Sequence, residues 1–222
     1  MTSLSSQERQ RLLDLAKREE ELRKEGYKHI AGVDEAGRGP LAGPVVACAC
    51  ILPPDFFLEG INDSKQINPD RRADLYEKLI EHPELCYGVG VIEALLIDHI
   101  NILQATFQAM MAAVSRLAKK PDYVLVDGSK TPFKHIPSQA IVQGDAKCLS
   151  ISAASIIAKE KRDAIMRDYD AQYPQYGFKD HKGYGTAQHL KAIEEYGPCP
   201  IHRRSFEPIK SLVANREQPR LF

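Results

Sequence analysis

A charge excess, a disulfide framework and a membrane-spanning length are all missing from this chain of 222 residues. Thirty Lys and Arg offset thirty Asp and Glu, so no basic surplus advertises a polyanionic partner. The five cysteines, Cys48, Cys50, Cys86, Cys148 and Cys199, are odd in number and show no CxxC spacing. That excludes a disulfide scaffold and a structural zinc site, and leaves reduced thiols serving as small core residues. The opening residues alternate Glu, Arg and Lys where a leader would be apolar, and no apolar run approaches the roughly 18 residues of a membrane span. A soluble, cytoplasmic protein, monomeric by default, is expected. Gly and Pro, 14 each, are not in excess, and there is no internal repeat or low-complexity linker, which removes collagen-like and disordered classes. Neither GxxxxGK[ST] nor GxGxxG occurs, so a nucleotide-binding loop is disfavoured.

What is present is an ordinary globular composition, 43% hydrophobic and 27% charged, in a length that suits one domain with an appendage. Residues 5–26 read as a helix, with Leu12, Leu13, Leu15 and Leu22 among charges and Gly26 as its stop. Short apolar runs at Ile30–Val33, Val45–Leu52 and Cys86–Ile92 read as strands, the first two joined by a tight turn at Gly37–Gly43 and therefore antiparallel. Helical spacing across Ala94–Ala118 predicts one or two core helices. Tyr123–Val126 and Gln139–Val142 read as buried strands, and Ser150–Tyr169 as a helix whose small face (Ala153, Ala154, Ser155, Ala158) allows close approach to a sheet. Strands alternating with helices give an α/β mixed sheet. The remainder holds one convincing helix, Thr186–Tyr196. The expected division is an N-terminal helix (1–26), an α/β core (27–172) and a C-terminal helical extension and tail (173–222).

The chemistry gathers at strand ends. In GVDEAGRGPLAGP an apolar strand meets Asp34 and Glu35 and passes at once into glycines. Neighbouring strand side chains point to opposite faces, so both acids reach one metal only if the strand ends or bends there, or if Glu35 offers its backbone carbonyl. Taken alone such a pair is more often a turn. Asp127 after YVLV and Asp145 after AIVQG repeat the arrangement, however, and carboxylates gathered from three strand ends repel one another unless divalent cations relieve them. Gly37 and Gly39 flank Arg38, so that bare backbone could approach a sugar while the guanidinium holds a phosphate. Basic residues gather at Lys179, Lys182, Lys191, His202, Arg203, Arg204 and Lys210. His181 and His202 could be phosphate donors or proton shuttles, but read better as structural or surface histidines.

DEAGRGPLAGPVVA, NDSK, the Asp of VLVDG, GDAK followed by SISAASIIAK, HKGYGT and HRRSF occur in this order. The chain thereby resembles bacterial ribonuclease HII, the type 2 ribonuclease H, from about Gly26 to Ile209. The resemblance implies a ribonuclease H-like fold with a five-stranded mixed sheet flanked by helices. It implies Asp34, Glu35, Asp127 and Asp145 as catalytic acids binding two Mg²⁺ or Mn²⁺ ions. It implies Gly37, Arg38 and Gly39 as the element sensing a ribose 2′-hydroxyl, Tyr184 as a ring stacking on the following deoxyribose, and Lys65 as a phosphate contact. Substrates would be RNA–DNA hybrids and DNA carrying ribonucleotides, cut to leave a 5′-phosphate and a 3′-hydroxyl. The tail Gln218-Pro219-Arg220-Leu221-Phe222 resembles peptides that dock on a sliding clamp. A DNA-directed metal nuclease of the same fold, disfavoured by Gly37–Gly39 and Tyr184, and a non-catalytic binding module, which would lack an acid, are the rival readings.

Overall fold

The computed structural model describes residues 4–64 and 66–217; Lys65 and the tail Gln218–Phe222 lie outside the described residues. Ser5, extended at φ −61° and ψ 152°, accepts a hydrogen bond from the Glu8 amide and so starts helix α1 (Ser6–Leu15). Ala16 stays in right-handed helical geometry, so α2 (Lys17–Lys24) follows at once, and the single helix read over 5–26 is two consecutive ones. Leu12, Leu15 and Leu22 are buried, whereas Leu13 is exposed.

Strands β1 (Ile30–Ala36), β2 (Val45–Ile51), β3 (Cys86–Ile92), β4 (Tyr123–Asp127) and β5 (Ser138–Ile141) form one sheet in the order β3-β2-β1-β4-β5. β1 pairs antiparallel with β2 and β2 with β3, while β1 pairs parallel with β4 and β4 with β5. The expected five-stranded mixed sheet is present. β1 runs three residues beyond the apolar stretch, so Asp34 and Glu35 stand on the strand and not past its end.

Both faces of the sheet are covered, which is why β2 is buried along its whole length. On one face Cys48 and Cys50 join Leu12, Leu75, Leu79 and the small face of α6 (Leu149–Gln172). On the other, Val33, Ala47, Ala49 and Val126 meet Ala105, Ala109 and Ala113 of α5 (Ile102–Ser115). The approach of α6 is close enough that any side chain at Gly32 would strike the Ser150–Ile151 backbone. Leu75 and Leu79 belong to α3 (Pro69–Ile80), a helix the sequence reading passed over although Asn68 caps it and Pro69 opens it. Ala94–Ala118 resolves into α4 (Ala94–Ile100) and α5, divided at Asn101, whose side chain caps α5 through the Leu103 and Gln104 amides.

Beyond α6 lie α7 (Phe178–His181), α8 (Ala187–Tyr196) and α9 (Ile209–Glu217), two more helices than were expected there. They share a core with Leu41 and Ala42 of the β1–β2 turn and Met166 of α6, through Tyr176, Phe178, Ile193 and Ile201. Residues 173–217 are thereby fixed against the carboxyl end of β1. Among the described residues no helix is long and apolar enough to cross a membrane.

Candidate active site

Val33 faces Val126 in the parallel pairing of β1 with β4, so Asp34 and Asp127, each one residue further on, stand level on adjoining strands. Asp145 comes from the 3-10 turn Gly144–Ala146 that follows β5. One carboxylate oxygen from each of the three lies within 4.8 Å of the other two. The Asp127 Oδ1 accepts the Gly144 amide at 2.6 Å, which ties the end of β4 to the turn bearing Asp145. Ser152 Oγ donates to the Asp145 carbonyl at 2.5 Å and fixes the same turn to α6. Gln143, just before it, sits at φ +58° in the left-handed region, the kind of backbone strain that persists where surrounding contacts over-determine it.

Asp34 is 3% exposed. Burial first, then the charges of Glu35 and Asp127, push its carboxyl well above the usual carboxylate range; a bonded Glu35 amide at 2.7 Å only partly opposes this. Such a cluster is stabilised by positive charge. Three hard carboxylate oxygens at this spacing could hold Mg²⁺ or Mn²⁺.

Glu35 is set apart by strand geometry. Residues directly opposite in an antiparallel pair share a face. Asp34 faces Cys48 on the α6 side, and Glu35 faces Ala47 on the α5 side. Glu35 is not in the 4.8 Å group; its Oε1 lies 3.4 Å from Arg38 Nη1. Both acids nevertheless line one cleft of about 220 Å³, together with Arg38, Asp127, Lys159 and Tyr184.

The turn after β1 is held from beneath. Gly37 adopts φ +94°, and a side chain there would strike Arg162. Arg162 and Arg203 are fully buried, and both guanidinium groups donate to turn carbonyls. Arg162 reaches Pro44 and Ala42 at 3.0 and 3.2 Å; Arg203 reaches Gly43, Arg38 and Gly37 at 3.0, 2.9 and 2.6 Å. Burial lowers the pKa of both, that of Arg203 to about 9. Arg38 itself is exposed, and Tyr184, 47% exposed, stands beside Gly39.

The sequence marks Arg203 by a basic run and by the HRRSF motif, without a role, and Arg162, within α6, carries no sequence mark. Lys159 was likewise unassigned; it is held by both Asp163 oxygens at 2.6 and 2.7 Å, a pairing legible only as an i,i+4 spacing. His181 and His202 are buried away from this cleft.

The family model for Ribonuclease HII matches residues 31–209. The ribonuclease HII of Chlamydia pneumoniae is 53% identical over 213 residues, covering 96% of this chain and 98% of that relative. The crystal structure of ribonuclease H2 from Pyrococcus horikoshii OT3 superposes with a TM-score of 0.71 at 29% identity, over 86% of this chain and all of the other. Bst-RNase HIII in complex with Mn²⁺ gives 0.64 at 16% identity, over 85% of this chain and 70% of that one, a likeness of fold. With a family match across most of its length and a relative identical at more than half of the aligned positions, the chain belongs to the ribonuclease HII family and is a type 2 ribonuclease H.

Proposed function

We propose that Asp34, Asp127 and Asp145, with Glu35 alongside, hold two divalent cations, Mg²⁺ or Mn²⁺, and that the cleft nicks a strand on the 5′ side of a ribonucleotide that precedes DNA. The observation that carries this is the meeting of the Asp34, Asp127 and Asp145 carboxylates within 4.8 Å, in and beside a cleft that the Gly37–Gly39 turn also lines. The donors are all hard oxygens, and the burial-raised Asp34 carboxyl is the group a cation would relieve. When bound, such ions acidify the attacking water and stabilise charge on the leaving 3′ oxygen, giving a 5′-phosphate and a 3′-hydroxyl.

The protein's own groups orient and select. Gly37 and Gly39 let main-chain amides approach the ribose 2′-hydroxyl, Arg38 takes a phosphate, and Tyr184 stacks on the deoxyribose that follows. Reading sugars at two successive positions needs no base contact, so RNA–DNA hybrids and DNA with embedded ribonucleotides are both substrates. The helical extension within residues 173–217 forms one wall of this groove. Lys65 would add a phosphate contact, and Gln218–Phe222 a tether to a sliding clamp; clamp affinity unchanged by deleting those five residues removes the tether. A cytosolic location follows from such a substrate and from reduced cysteines.

A duplex containing one ribonucleotide tests the reading. A single nick 5′ to it in Mg²⁺ or Mn²⁺, abolished in Asp34→Asn, is expected. No nick in either metal would overturn it, and equal cutting of all-DNA duplex would turn it into a DNA nuclease.

A further inference from the structure

Three buried histidines, His181, His189 and His202, gather next to Tyr184, and none lines the carboxylate cleft. Their hydrogen bonds have a fixed direction. The Cys199 amide donates to His202 Nδ1 at 2.9 Å. A ring nitrogen that accepts an N–H carries no hydrogen, so the single proton of neutral His202 is on Nε2. The Cys199 thiol, 3.1 Å from the same Nδ1, fits that assignment as a second donor, and the Cys199 carbonyl at 3.3 Å is the poorer partner. His202 Nε2 lies 3.0 Å from His189 Nε2. His189 must accept there, which puts its own proton on Nδ1, 2.8 Å from the Tyr184 carbonyl. Each joint allows one orientation, and the chain ends on Tyr184.

His181 braces it. Its ring stacks on that of His189 with centroids 4.4 Å apart and planes 15° from parallel. Its Nδ1 accepts the Gly183 amide at 3.2 Å, and its Nε2 lies 2.8 Å from the Tyr176 carbonyl. Burial pushes both His189 and His202 down to about 4, so both are neutral under ordinary conditions, as the directional chain requires.

The Tyr184 ring is half exposed, so little of its placement comes from its own burial and most must come from its main chain. That main chain is held twice: the Tyr184 carbonyl also accepts the Thr186 amide at 2.8 Å, and the Gly183 carbonyl accepts the Leu41 amide at 2.8 Å, joining this loop to the turn of Gly37 and Gly39. We propose that His189 and His202 are positioning residues for Tyr184, a hydrogen-bond chain that sets where the ring stands beside Gly39 and thereby the discrimination between an RNA–DNA junction and continuous RNA. This rests on Tyr184 being the sugar-reading ring.

Imidazole ¹⁵N–¹H correlation spectra of the wild-type chain at neutral pH test the direction first. His189 is expected as the less common Nδ1–H tautomer, His202 and His181 as Nε2–H; an Nε2–H form of His189 overturns the chain. Kinetics test its consequence. His189→Gln, which has no donor at the Nδ1 position, is expected to lower kcat/KM on a single-ribonucleotide duplex by about tenfold, the scale of one lost hydrogen bond, with a smaller loss on an all-RNA hybrid strand. His189→Asn, whose amide replaces the Nδ1 donor, is expected to restore the preference. Equal losses on both substrates in His189→Gln, or no recovery in His189→Asn, would overturn positioning. Tyr184→Ala measured alongside separates the two levels: if it costs both substrates equally, the sugar reading fails, and the proposed discrimination fails with it, even where the tautomers are as expected.

Discussion

Gly39 and Tyr184, far apart in sequence, both line the carboxylate cleft: a methyl group on Gly39 would lie 3.7 Å from Cε1 of the Tyr184 ring. Two elements with no local relation thus line one cleft. Tyr184→Ala is expected to reduce cleavage at a single-ribonucleotide junction about tenfold more than cleavage of an all-RNA hybrid strand, a loss on the scale of one stacking contact. Steady-state kinetics on the two substrates check this, and equal losses contradict sugar reading by the ring.

Gly37→Ala and Gly39→Ala separate folding from access. Gly37 needs its positive φ and lies against buried Arg162, so Gly37→Ala is expected to lower stability by about 2–4 kcal/mol in urea denaturation. At Gly39 the added methyl makes only ordinary contact, so Gly39→Ala should melt within a few degrees of wild type yet lose activity, because backbone approach to the sugar is obstructed. A Gly39→Ala protein as active as wild type would remove that turn from substrate reading.

Mutual repulsion among Asp34, Asp127 and Asp145 predicts a stability signature that needs no substrate. Without divalent ions, Asp34→Asn is expected to melt higher than wild type, since it removes a buried charge flanked by two others. Millimolar Mn²⁺ should raise the melting temperature of wild type by several degrees and that of Asp34→Asn much less. Equal metal-induced shifts would place the ions elsewhere.

Glu19 of α2 does what the Cys148 position does not: its Oε1 accepts the Ser150 amide at 2.8 Å and the Ser150 hydroxyl at 2.7 Å, capping α6 from a distant segment. Glu19→Ala is expected to cost about 1–3 kcal/mol in chemical denaturation, a lost cap plus unpaired donors. Glu19→Gln, which keeps the acceptor, should cost far less, all the more because burial already raises the Glu19 pKa toward the neutral form.

Acid should act through the histidine cluster. The folded-state values of His189 and His202, about 4, lie below the ordinary 6.5, so the unfolded chain takes up protons that the folded chain refuses. The stability these rings contribute is present above pH 6.5 and is lost as pH falls toward 4, by at most about 1.4 kcal/mol per pH unit for each ring. The raised Asp34 carboxyl works in the opposite sense, so the test is a difference: His202→Asn should show a shallower slope of unfolding free energy between pH 4 and 6.5 than wild type. Parallel slopes would contradict the shift.

The strands, the two-sided burial of β2 and the small face of α6 follow from apolar period and residue size, which are local properties and legible in the chain itself. So are Asp127 at the end of β4, Asp145 in the turn after β5, and the motif order that marks the family, whereas Asp34 stands within β1 and not at its end. Helix α3 was signalled by Asn68 and Pro69 and overlooked, while α7, a single turn, is too short for any periodicity to reveal. What no local pattern could decide is distance. Only the parallel register of Val33 with Val126 makes Asp34 and Asp127 level, and only the fold places Asp145 within 4.8 Å of both and separates Glu35 onto the other face. The burial of Arg162, Arg203, His189 and His202 was equally hidden, because a polar residue looks solvated in sequence until tertiary contacts supply its hydrogen-bond partners, and those partners here lie on the turn and loop that shape the cleft.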